Sequence, residues 1–78
     1  MSLEFAQPTL QEQFLEILQK EEVLQIRDFL NDQNISDVAE LINEFPEYEH
    51  QIVGNMSVHR AAKVFKILDL PTQKNIIQ

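Results

Sequence analysis

Seventy-eight residues with a single glycine and no cysteine make one small domain, whose core is too limited for more than modest stability. The formal net charge of −7 repels phosphate backbones and anionic headgroups, so neither nucleic acid nor direct membrane insertion is expected. Absence of cysteine excludes disulfides and thiolate metal sites, and strongly apolar residues never run longer than two, against the roughly 20 that a membrane-spanning helix needs.

Residues 1–8 read as an N-terminal extension, with Met1-Ser2-Leu3 expected to be a cloning remnant, and residues 9–78 as one helical repeat domain. No charged-then-apolar leader opens the chain, which makes the cytosol the expected location. Thr9 and Glu12 form a capping-box pair that starts a first helix carrying Leu10, Phe14, Ile17 and Leu18 on one stripe. Lys20 to Glu22 is the junction with a second helix, striped by Val23, Ile26, Phe29 and Leu30. The polar run Asn31-Asp32-Gln33-Asn34 ends it, because short polar side chains compete for local backbone groups.

A third helix starts at a cap provided by Asn34 or Ser36 and turns Val38, Leu41, Ile42 and Phe45 inward. Pro46 stops it and suits the first turn of the next helix, so Phe45-Pro46 is a helix-helix corner. The fourth helix runs through Tyr48, Ile52 and Val53 to Gly54-Asn55, a pair suited to a left-handed exit. Ser57 caps a fifth, which carries Val58, Ala61, Ala62, Val64, Phe65 and Leu68. Asp69-Leu70-Pro71 repeats the corner and starts a sixth helix with Ile76-Ile77. That pair at the chain end predicts a fragment of a longer protein, or a face covered by a partner such as a second copy in a homodimer.

The signature of two apolar residues, a charge and two apolar residues occurs at Phe14–Leu18, Val38–Ile42 and Ala61–Phe65, with starts 24 and 23 positions apart. A period of this size marks stacked helix pairs that cover one another's apolar faces. The predicted fold is therefore all-α, a right-handed superhelix of short helix-hairpin repeats with about six helices. Charge is split along the chain: residues 1–50 hold twelve carboxylates against Lys20 and Arg27, whereas residues 51–78 hold Asp69 against Arg60, Lys63, Lys66 and Lys74. The first part attracts cations and basic surfaces.

The stretch SDVAELINEFPEYEHQIVGNMSVHRAAKVFKILDLP, residues 36–71, resembles the N-terminal cytosolic domain of the MgtE family of magnesium transporters. That family shows an ADIAELLEELPPEER-like element followed by an ERAAEVLEELDPE-like element at this spacing; residues 9–33 match loosely, as the preceding helix pair. The resemblance implies a regulatory segment on the cytoplasmic side of the membrane. It would lie ahead of CBS modules and a transmembrane domain of the same full-length chain. Magnesium held weakly between acidic faces would draw these parts together and close the pore. Such a role suits a hard cation that prefers carboxylate and water oxygens.

Carried over from that family, the metal-facing candidates are Asp37, Glu40, Glu44 and Glu47, with Glu49 and Asp69 at further acidic positions. Lys63 stands where the family usually has a carboxylate, and an ammonium group cannot ligate a cation. Arg60 is expected to tie one repeat to the next. Glu47 and His50 have the Glu-x-x-His spacing of di-iron bundles, but a second motif and further inward carboxylates are missing. With one glycine there is no phosphate-cradling loop, and no nucleophile is paired with a base, so no enzyme is expected. The alternative reading is a protein-interaction scaffold without an ion role, like the helical repeats of flagellar motor-switch proteins.

Overall fold

The computed structural model describes residues 7–77. Within them the chain forms α1 (Leu10–Lys20), α2 (Val23–Asp32), α3 (Ile35–Glu44), a 3-10 turn (Pro46–Tyr48), α4 (Glu49–Gly54), α5 (Val58–Ile67) and α6 (Leu70–Ile77). The fold is all-α, with six α-helices and no strand among the described residues. Met1-Ser2-Leu3 lies outside them.

Several helix boundaries have a local chemical cause. The Thr9 hydroxyl accepts from the Glu12 amide at 3.1 Å and the Glu12 carboxylate accepts from the Thr9 amide at 2.9 Å, which satisfies two otherwise unpaired donors at the start of α1. α1 ends at Glu21, the one described residue with positive φ, 55°; this left-handed residue donates its N–H to the Leu18 carbonyl and turns the chain into α2. At the Phe45-Pro46 corner the Phe45 N–H still donates to Leu41, and Pro46, with no N–H to offer, opens the 3-10 turn. Ser57 caps α5 by accepting from the Arg60 amide at 3.4 Å. Asp69 caps α6 through the Thr72 amide at 2.9 Å, and bonds from the Thr72 hydroxyl and amide hold its carboxyl below the usual 3.8.

Two expected helix ends are built differently. Gly54-Asn55 is not a left-handed exit: Asn55 sits at φ −99° and ψ 5°, and its side-chain amide donates to the Gln51 carbonyl at 2.8 Å. With that carbonyl already paired, no left-handed residue is needed. Asn34 holds the cap position of α3, but its side-chain amide points to Asp37 and makes no cap bond to the helix backbone.

The core is built around α3, which packs against both α1 and α5. Val38, Leu41 and Ile42 are fully buried, joined by Phe14, Ile26, Leu30, Ile52 and Val64 from the surrounding helices. Phe14 is also the hub of an aromatic cluster, with ring centroids 6.2 Å from Phe29, 5.7 Å from Phe45 and 6.1 Å from Tyr48, the last edge-on. These rings join α1 to α2 and to the corner after α3. Val23 and Val58, expected in apolar stripes, are instead 57% and 87% exposed. Each opens its helix, and the buried face is set by Ile26 and Leu30 in α2 and by Val64 in α5, ahead of Leu68 at its end. Ile76 packs against the core while Ile77 is 74% exposed, so the two do not form the shared apolar patch expected from their adjacency.

Arg60 links distant parts of the chain, as its sequence position led us to expect. Reaching from α5, its guanidinium donates through Nη2 to the Leu30 carbonyl at 3.0 Å and also to the Gln33 carbonyl. A cation thus sits on the unpaired carbonyls at the C-terminal end of α2, where the helix dipole favours it. The Ser57 amide reinforces the junction by donating to Asn31 Oδ1 at 3.3 Å. Arg60→Met keeps the aliphatic stem and removes the donors, leaving part-buried carbonyls unpaired. The expected loss is about 1–3 kcal/mol, read as a drop in melting temperature of roughly 4–8 °C per kcal/mol. An unchanged melt would show that water serves these carbonyls equally well.

Candidate functional site

The acidic face originates in the phase of α3. Val38, Leu41 and Ile42 claim the buried side, so Asp37, Glu40 and Glu44, spaced i, i+3 and i+7, share a stripe away from its centre. Glu40 and Glu44 are exposed, as is Glu47 in the 3-10 turn, while Asp37 is half-buried. Between Arg27 and Arg60 there is no lysine or arginine, and that interval holds Asp28, Asp32, Asp37, Glu40, Glu44, Glu47 and Glu49. The result is a stretch of chain whose charged groups are all anionic.

Asp37, Glu40 and Glu44 share a stripe of α3 and Glu47 follows in the 3-10 turn after it, and the four do not converge on a point. Among the described residues no three His, Asp or Glu side chains gather closely enough to hold a metal ion. Asp37 has a local partner, since its Oδ2 accepts from Asn34 Nδ2 at 3.4 Å, and its charge in the first turn of α3 complements the helix dipole. The donor chemistry suits magnesium; the geometry does not supply a self-contained coordination sphere.

Two further acids are differently placed. Glu49 is only 7% exposed, because it precedes the fully buried Ile52 by three residues and so lies on the same helix face. That spacing was legible in the sequence. Asp69 is exposed but bound to Thr72 as a helix cap. Lys63 is exposed on α5, and both histidines, His50 and His59, are also exposed. Among the described residues Glu47 and His50 join no cluster of three or more acids or histidines able to hold a metal ion.

No protein-family model, curated protein or solved structure matches this chain. No helix among the described residues is long and apolar enough to cross a membrane.

Proposed function

We propose that this chain is a regulatory docking segment of an MgtE-like magnesium transporter. In this reading its acidic face packs against CBS modules of the same full-length protein on the cytoplasmic side. The observation that carries the proposal is the exposure of Glu40, Glu44 and Glu47, with Asp37 half-buried on the α3 stripe of Glu40 and Glu44 and no lysine or arginine in sequence between Arg27 and Arg60, within the stretch that resembles that family. Two acidic faces repel one another across a narrow gap, and hydrated divalent cations relieve that repulsion without a closed ligand set. Docking then reports magnesium concentration through charge neutralisation, and the docked state gates the pore.

The isolated chain is expected to bind magnesium weakly, with a Kd of about a millimolar or more. Joined to its CBS neighbours it compacts on adding magnesium, measured by small-angle scattering, and monovalent salt reproduces part of the effect by screening. Replacing Asp37, Glu40, Glu44 and Glu47 with their amides removes most of that compaction and leaves the helical content intact. An undiminished response in this variant would reduce the four carboxylates to a solvated surface. The second reading is an ion-independent helical scaffold, in which these acids are a solvated face. In that case docking persists unchanged when magnesium is removed.

A further inference from the structure

A groove of about 740 Å³ runs between α1 and α2, outside the stretch that bears on magnesium. Its walls are two matched helical stripes, residues 13, 16, 17 and 20 of α1 and residues 25, 28, 29 and 32 of α2. Each set follows the i, i+3, i+4, i+7 spacing that lines up side chains along one helix face. Ile17 and Phe29 are half-buried and give the groove an apolar centre, while Glu16, Asp28 and Asp32 border it against a single cation, Lys20. The stripes extend over seven residue steps, about 10 Å at 1.5 Å per residue, which matches roughly two turns of a third helix.

From these observations we infer that the α1–α2 groove binds a basic amphipathic helix of a partner protein. Apolar residues of the guest at helical spacing cover Ile17 and Phe29, and flanking lysine or arginine side chains meet Glu16, Asp28 and Asp32. Helix-in-groove recognition of this kind takes its affinity from the apolar contact and its choice of partner from the charged border. An acidic helix is rejected by the same carboxylates. Because the docking residues lie on α1 and α2, the inference stands apart from the magnesium reading.

The test uses the whole chain and two synthetic amphipathic helices with the same leucine stripe, one carrying lysine and the other glutamate at the remaining positions. At near-physiological salt the lysine helix is expected to bind, with amide shifts in the NMR spectrum concentrated on residues 13–20 and 25–32. The variant Asp28→Lys/Asp32→Lys replaces two exposed side chains with better helix formers, and a cation at the C-terminal end of α2 suits the dipole. It is expected to fold normally, to lose at least about tenfold in affinity for the lysine helix and to gain affinity for the glutamate helix. Equal affinity in variant and parent, or shifts centred on α3 and the 3-10 turn, would overturn the inference. So would sedimentation showing the parent chain self-associating through this groove, detected as association lost in the variant, since the occupant would then be a second copy.

Discussion

Leu41→Asp is expected to abolish the cooperative thermal melt of this chain. Leu41 is fully buried on α3, between Val38 and Ile42 on the same buried face. A carboxylate placed there without a partner costs several kcal/mol, or else the group takes up a proton and remains an unsatisfied polar group in an apolar core. Domains of this length have total stabilities of about 0.05–0.15 kcal/mol per residue, so a single such cost is comparable to the whole. Circular dichroism reads the outcome: the parent melts cooperatively, and the variant shows weak helical signal with no transition. A normal melt would place Leu41 outside the core.

Phe14→Ala is the second large effect, with a different spatial signature. The ring is fully buried and contacts Phe29, Phe45 and Tyr48. Truncation of a core phenylalanine costs about 3–5 kcal/mol through lost transfer energy and the cavity left behind. Phe14 is the one buried residue of α1, so its loss removes the main anchor of that helix. α3 and α5 keep their mutual packing through Val38, Leu41 and Val64. Hydrogen exchange in Phe14→Ala should therefore lose protection in α1 before the α3–α5 pair, as expected for a locally weakened unit. Uniform loss over all helices would mean that the six helices form a single cooperative block.

The same two substitutions illustrate how far periodicity alone reaches. The stripe Val38, Leu41, Ile42 is apolar at helical spacing in the sequence, and α3 buries those residues. Phe14 falls in a comparable stripe, but its role as hub of four rings depends on the corner at Phe45-Pro46 returning Tyr48 toward α1, a relation across more than 30 positions. Val23 and Val58 show the opposite failure. Both extend an apolar pattern by one turn, yet each stands at the open start of its helix with nothing packed over it. The acidic candidates differ too: exposure of Glu40 and Glu44 follows from the phase of α3, whereas Glu47 stands exposed in the turn after it and Glu49 is buried on the face of Ile52.

By itself the amino-acid sequence determined the helical class, the capping box at Thr9 and Glu12, the corners at Pro46 and Asp69-Leu70-Pro71, and the concentration of negative charge before residue 50. These depend on bonds and steric limits within about four residues, or on composition, and so are written locally. Tertiary structure alone decided that Arg60 reaches the carbonyls at the end of α2, that Ile76 and Ile77 part company, that Asp37, Glu40, Glu44 and Glu47 do not converge, and that α1 and α2 flank an open, acid-bordered groove. Each of these depends on the angle and separation at which helices pack. That geometry is set by the combined fit of all the buried side chains.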